Sequence, residues 1–271
     1  MVSYAIELNP ALCDEANRLQ LSLHHFGHSI LGTWWKSEGE TIQCSQLYYI
    51  VKGSANVLCN DETLLTMTAG NWYLLPTGTK VTYWCDDFME EFYFHFKLCD
   101  IDRVDLLENC VGPYTMPIFE DKTELFLKLL KSSSPVDGIR LQNELFSNLL
   151  NMIDACGITL KKTELSPCVS KAISYIHSHL SIGLSVSEIV KHSYVSKTTL
   201  EKYFKRELGV SVHEYLYNSV MFEASQMLLK TDLSIRAISE QFGFCDQFYF
   251  SKCFKDKFGK SPRDYRNTVP M

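Results

Sequence analysis

The sequence predicts an α+β protein: a β-rich first half, two amphipathic helices after it, and an all-α domain at the carboxy end. Between about 20 and 100, apolar and aromatic runs alternate with turn residues roughly every 8–12 positions, which is typical of a sandwich or barrel. Leucines recur at helical spacing over 120–132 and 137–155. In the last third, a helical motif occurs twice about fifty residues apart.

Length and charge indicate two domains with different partners. The 271 residues are enough for two cores, and 46% hydrophobic residues are ordinary for a globular protein. Residues 156–167 lose helical period and end in Ser-Pro, so we interpret them as a linker between domains at 1–155 and 168–271. The net charge of −6 divides into −10 for 1–167 and +4 for 168–271. This asymmetry favours a polyanion as the partner of the second domain.

We expect neither a signal peptide nor a membrane span. The amino end has no basic start followed by an apolar run, and no apolar stretch reaches the ~18 residues of a span. The cysteines show no C-x-x-C pair, which favours reduced thiols and a cytoplasmic location. They stand at positions 13, 44, 59, 85, 99, 110, 156, 168, 245 and 253.

The two helices after the β-rich segment each carry one apolar stripe. The first stripe holds Leu125, Leu129 and Leu130, and the second runs from Leu141 to Ile153. Such helices either cover the barrel or pair with a second subunit. The pattern leaves both possibilities open.

The repeated motif reads K-x-F-K-x-x-x-G-x-S-x-x-x-Y, from Lys202 to Tyr215 and again from Lys252 to Tyr265. In each copy the glycine is expected to end one helix, and the serine two residues later begins the next. Helical spacing turns the phenylalanine inward and the lysines outward. A unit used twice, with a cationic outer face, is typical of paired helix-turn-helix elements that bind DNA.

The outward side chains of the helix at 197–208 and of its second copy are the candidate DNA contacts. Residues near the start of a recognition helix read base edges, and cations further along meet phosphates. Lysine suits guanine, glutamine suits adenine, and an exposed phenylalanine packs on a thymine methyl. The alternative is that these are ordinary solvated helix faces, which two aligned copies disfavour. The base-reading candidates are Lys197, Thr198, Glu201, Lys202, Gln247, Phe248, Ser251 and Lys252; the phosphate candidates are Lys205, Arg206 and Lys255.

Residues 243–266, from Gly243-Phe244 through Phe254-Lys255 to Tyr265-Arg266, resemble the signature of AraC/XylS-type bacterial transcription regulators. The resemblance covers 168–267. It implies two helix-turn-helix units joined by a long helix at about 211–230, with recognition helices entering major-groove segments about one DNA turn apart. Departures from the family pattern are Val190 and Tyr194, where small residues are usual, and Val220, where arginine is frequent.

The first half resembles the cupin-type barrel that binds effectors and dimerises in the sugar-responsive branch of this family. The resemblance rests on Gly53, Gly70-Asn71-Trp72, Pro76 and Phe94-His95-Phe96. It implies a homodimeric activator that responds to a small molecule, with a sugar among the candidates. It also implies RNA polymerase as a partner. Candidate pocket residues, with packed barrel core as the alternative, are His24, Trp34, Trp35, Tyr49, Trp72 and His95.

We expect no cofactor and no metal. The run from His24 to His28 lacks the glutamate and later histidine that metal-binding cupins place on strands. No nucleophile–base spacing or phosphate-binding glycine loop stands out, so an enzyme is disfavoured. Two other classes stay open: an effector-independent regulator controlled by a partner protein, and a cupin enzyme with a helical oligomerisation tail.

Overall fold

The computed structural model describes residues 19–108, 110–160 and 165–267. The chain divides into two compact units, Met1–Lys162 and Thr163–Met271. The predicted α+β class is confirmed, with an antiparallel β-rich first unit and an all-helical second unit. Nine cysteines lie in the described ranges as thiols, and Cys13 lies outside them.

Among the described residues of the first unit, eight antiparallel strands build a two-layer barrel. One layer has the order β1-β7-β3-β5-β8, and β2, β4 and β6 extend the other from the far half of β3. The strand β3 passes from one layer to the other at Gly53, whose φ of +71° is readily adopted only by glycine. The strands are β1 Gln20–Gly32, β2 Lys36–Thr41, β3 Ser45–Cys59, β4 Thr63–Thr68, β5 Asn71–Leu75, β6 Lys80–Trp84, β7 Phe88–Cys99 and β8 Tyr114–Pro117.

The first sheet buries both of its faces. On β7, Phe92, Phe94 and Phe96 are completely buried in a cluster that includes Phe126 and Leu145 of the two following helices. The other face looks into the barrel, where a second cluster of buried residues lies between the layers. Helices α1 (Thr123–Leu130) and α2 (Pro135–Cys156) therefore cover the outer face of this sheet.

The second unit is a bundle of seven described helices around one continuous apolar core. The core joins Leu200 and Phe204 of the first repeat copy to Phe250 and Phe254 of the second, through Val220 and its neighbours on the long helix α6. The helices are α3 Pro167–Ser178, α4 Val186–Ser193, α5 Lys197–Leu208, α6 Val212–Lys230, α7 Ile235–Gln241, α8 Gln247–Phe258 and α9 Pro262–Arg266.

The repeated letters of the motif have the same structural roles in both copies. The Phe204 ring meets Tyr215 edge-on at 5.8 Å and 79°, and the Phe254 ring meets Tyr265 at 5.2 Å and 79°. Both motif glycines take the left-handed conformation that ends a helix, and the hydroxyl of each motif serine accepts an N–H bond that begins the next. The phenylalanine, glycine, serine and tyrosine thus fold each copy, and the lysines remain outside.

The turn of the first helix-turn-helix unit departs from its counterpart in one residue. Tyr194 ends α4 with φ of +57°, where Gly243 in the second unit has +75°. A non-glycine residue in this region costs about 1–2 kcal/mol. The Tyr194 ring offsets part of that cost, since Lys171 Nζ lies 4.7 Å from its centroid.

Candidate functional site

Helices α5 and α8 present matching exposed stripes. Thr198, Lys202 and Lys205 are exposed on α5 at positions i, i+4 and i+7. Phe248, Lys252 and Lys255 stand at the same spacing on α8 and are exposed as well. These six side chains, here called the paired stripes, form a cationic surface beginning at the amino-terminal turn of each helix.

Side-chain caps fix the first turn of both helices. The Ser196 hydroxyl accepts from Thr199 N–H at 3.2 Å, and Asp246 Oδ1 accepts from the N–H groups of Phe248 and Tyr249 at 2.7 and 2.8 Å. The bonds to Asp246 hold the pKa of its carboxyl below the usual range, so that cap stays ionised. The residues proposed to reach base edges are therefore attached to rigid backbone.

Several other candidate side chains have partners within the protein. Glu201 is half-buried and its carboxylate accepts from Val212 N–H at 3.2 Å, at the start of α6. The Arg206 guanidinium pairs with Glu207 and lies 4.3 Å from the Tyr203 ring centroid. The Ser251 hydroxyl donates to Gln247 O at 2.7 Å, both residues being half-buried, while Lys197 is exposed. Sequence reasoning missed these attachments because each depends on local geometry or a tertiary neighbour.

The long helix α6 holds the two stripes on one body. From the second copy, Lys257 Nζ donates to Asn218 Oδ1 at 2.8 Å, and Arg266 Nε donates to the Leu228 carbonyl at 3.1 Å. The Tyr217 hydroxyl donates to the Cys253 carbonyl of α8 at 3.2 Å. Together with the shared core, these bonds fix one recognition helix relative to the other.

The six predicted pocket residues of the first unit do not form one site, although Tyr49 and Trp72 pack edge-on with their ring centroids 4.8 Å apart. Tyr49 and Trp72 lie on the outer face of the sheet, with their rings 5.7 and 6.1 Å from Phe126 of α1. Trp34 is 64% exposed in the turn after β1. Trp35 packs on Tyr83 at 5.0 Å, His95 faces the barrel interior, and His24 is the extra residue of a bulge in β1.

Polar residues that the sequence reasoning missed line the barrel interior. The hydroxyls of Tyr48 and Tyr83 donate to Gln46 Oε1 at 2.8 and 2.7 Å and so connect the two layers. Glu91 and Tyr93 project into the same space from β7. The signal that marks them is alternation: they share the strand face opposite to Phe92 and Phe94.

The interior groups are uncharged near neutral pH. Burial raises the pKa of the Glu91 carboxyl to about 8, and its Oε2 has no hydrogen-bond partner within the described structure. Burial, and then the neighbouring His25, lower the pKa of His95 to about 3. The interior therefore combines an apolar cluster with buried polar groups, and Glu91 and His95 hold no charge there.

Replacing Glu91 by glutamine should flatten the pH dependence of stability above pH 5. In the unfolded chain the carboxyl ionises near its ordinary pKa, whereas the folded chain keeps the proton until about pH 8. Wild-type unfolding free energy therefore falls across this window, by up to about 1.4 kcal/mol per pH unit. Urea unfolding at pH 5 and pH 8 measures the effect, with exposed Glu62→Gln as control; parallel losses in wild type and Glu91→Gln would contradict it.

The described residues include neither a metal-binding cluster nor a membrane-spanning helix. Within 19–108, 110–160 and 165–267, no cluster of three or more His, Cys, Asp or Glu is placed to hold a metal ion. None of the helices in those ranges combines the length and apolar character needed to span a membrane.

Comparisons with known proteins agree with this geometry. A helix-turn-helix domain model matches residues 189–268. The Msm operon regulatory protein of Streptococcus mutans is 26% identical over 94% of this chain and 95% of its own length. The raffinose operon transcriptional regulatory protein RafR of Pediococcus pentosaceus is 26% identical over 82% of this chain and 84% of its own.

The whole fold also has a counterpart among solved structures. ToxT from Vibrio cholerae superimposes with a TM-score of 0.62, covering 94% of this chain and 100% of ToxT at 12% identity. Another ToxT structure holds an unsaturated fatty acid. At this identity the likeness establishes the fold alone.

Proposed function

The chain belongs to the AraC/XylS family of bacterial DNA-binding transcription regulators, and we propose that it is a cytoplasmic activator controlled by a neutral sugar. In this proposal 168–271 bind the operator, 1–155 bind the effector and dimerise, and 156–167 link them. RNA polymerase is the partner through which activation occurs. The relatives named for the msm and raffinose operons support a sugar-utilisation role.

The observation that carries the DNA-binding proposal is the pair of exposed stripes on one rigid body. We assign base reading to Lys197, Thr198 and Lys202 of α5 and to Gln247, Phe248 and Lys252 of α8, with Ser251 beside them. Lys205 and Lys255, one turn further along, suit phosphate contacts. Glu201 and Arg206 are left out of this assignment, because their charged groups are held by Val212 and Glu207.

We propose that polar side chains between the two layers contact a neutral polyhydroxyl effector. Tyr48, Tyr83, Gln46 and Tyr93 offer hydroxyl, amide and aromatic groups, which suit the hydroxyls and apolar faces of sugars. An anionic ligand would gain little there, since His95 is neutral and Glu91 repels anions once ionised.

The outer face of α2 supports a homodimer. It carries an exposed or half-exposed heptad pattern, in which Val136 and Ile139 are 56% and 59% exposed. A second copy of the same helix would cover these side chains. Asn143, the polar residue of the pattern, would set the register between the two helices. Sedimentation equilibrium of the full chain should give the dimer mass, and a monomer mass would refute the proposal. The pattern consists of Val136, Ile139, Asn143, Phe146, Leu150 and Ile153.

Thermal shift with a panel of mono- and oligosaccharides tests effector binding. At a hundred times its Kd, a sugar that binds only the folded state adds about 2.7 kcal/mol of stability, and Tyr48→Phe should reduce that shift. Gln43→Leu, a change outside the interior network, serves as the matched control. A shift produced by long-chain fatty acids and by no sugar would contradict the proposal. No shift with either class would favour the regulator controlled by a partner protein.

A further inference from the structure

We infer that the two recognition helices read chemically different half-sites: α8 reads thymine methyl groups through Phe248, whereas α5 reads polar base edges. The inference rests on the proposed DNA-binding function and deepens it by naming what the second unit recognises. It predicts an operator whose two segments differ in composition.

The two recognition helices share the lysines of their stripes and differ in the first turn. Lys202 and Lys252 correspond, as do Lys205 and Lys255, so the cationic part of the stripe is shared. The first residue of each stripe, here called its tip, is not shared, because Phe248 stands where α5 has Thr198. A difference at the tip changes the residue that reaches furthest toward base edges.

Phe248 is an apolar ring held out in solvent. Its side chain is 77% exposed although it occupies the first turn of a helix in which Phe250 and Phe254 are fully buried and Phe258 is half-buried. The backbone N–H of Phe248 donates to Asp246, so the cap fixes the backbone from which the ring projects. Nothing in the folding of α8 requires an exposed phenylalanine, whereas Phe250 and Phe254 supply its core contacts.

The surroundings of Phe248 identify the surface that covers it. Lys252 and Lys255 continue the same stripe, so a phosphate bound by Lys255 would bring Phe248 and Lys252 against the major groove. The apolar feature of base edges in that groove is the 5-methyl group of thymine. A thymine-bearing groove segment therefore matches both the charge of the stripe and the apolar tip.

On α5, exposed cationic side chains predominate and no aromatic ring stands at the tip. Lys197, Lys202 and Lys205 are all exposed along α5, and the tip residue Thr198 is small and polar. On α8, Gln247 replaces Lys197, and the acidic Asp256 follows Lys255. We therefore assign most of the electrostatic attraction to α5 and the apolar discrimination to α8.

The test uses the full-length protein and a site selected from random DNA. Each thymine is replaced in turn by uracil, which lacks only the methyl group and keeps the hydrogen-bonding groups. In one segment of the site, uracil should weaken binding about fourfold for each methyl contacted. Phe248→Ala should weaken binding to thymine DNA about ten- to a hundredfold, and uracil in that segment should then have no further effect.

Tyr249→Ala is the matched control, because it removes a neighbouring exposed ring at the same turn but off the stripe. It should leave the uracil effect intact. Tight sequence-specific binding that is indifferent to uracil everywhere would overturn the inference and leave the proposed function standing, as would a uracil effect that persists in Phe248→Ala. Failure to enrich any sequence would instead refute the DNA-binding function itself.

Discussion

Replacing Lys202 and Lys252 together by alanine should remove most specific DNA binding without changing the fold. Both side chains are exposed on the paired stripes, so their loss costs no core packing. If each reads a base, each substitution costs about 1–3 kcal/mol of binding free energy. The two positions lie on different helices, so their effects should add to about 2–6 kcal/mol. Fluorescence anisotropy with labelled operator DNA measures the loss.

A matched charge change separates base reading from general attraction. Lys36→Ala with Lys131→Ala removes the same charge from exposed positions of the first unit. This control should bind operator DNA with nearly wild-type affinity at physiological salt. Equal weakening by both double variants would show that Lys202 and Lys252 contribute only net charge.

Gly53→Ala should destabilise the first unit by about 3 kcal/mol or more, among the larger effects expected from a single methyl group. An added Cβ would lie 2.1 Å from the carbonyl oxygen of Phe88, which belongs to the backbone of the paired strand β7. A backbone atom within a ladder cannot rotate away, so the strands themselves would have to separate. The positive φ of Gly53 adds a further cost for alanine. Urea unfolding followed by tryptophan fluorescence measures the change.

Gly70→Ala isolates the contribution of backbone conformation. Gly70 has φ of +83°, yet an added Cβ there would meet nothing within 4 Å. Its replacement should cost only about 1–2 kcal/mol. Equal stability of the two alanine variants would contradict the close contact between β3 and β7 at Gly53.

The helices of the second unit were largely predictable because the sequence signals that begin and end them are local. The bounds of α5 were predicted as 197–208, and the helix runs from Lys197 to Leu208. Serine caps, left-handed glycines and the i, i+4 spacing of buried phenylalanines depend on only a few neighbouring residues. What the pattern missed was the environment of Glu201 and Arg206, whose charged groups look free in sequence but are bound by Val212 and Glu207.

The two faces of the first sheet were harder to predict from the sequence, for a different reason. When both faces of a sheet are buried, alternation separates two sets of residues but does not say which set faces the barrel interior. Tyr48 and Tyr49 are both buried aromatic neighbours on β3. Only the docking of Phe126 onto Tyr49 shows that Tyr49 faces the helices. Candidate pocket residues chosen for their aromatic character therefore come from both faces of the sheet.

Hydroxyl-radical footprinting of the full chain on a selected operator tests the paired-helix mechanism most directly. Two recognition helices held on one body should protect two segments per protomer on the same side of the duplex, centred about 10 base pairs apart. Lys202→Ala should weaken protection of one segment and Lys252→Ala that of the other. A single protected segment, or two centred about half a turn out of phase, would contradict simultaneous docking of α5 and α8.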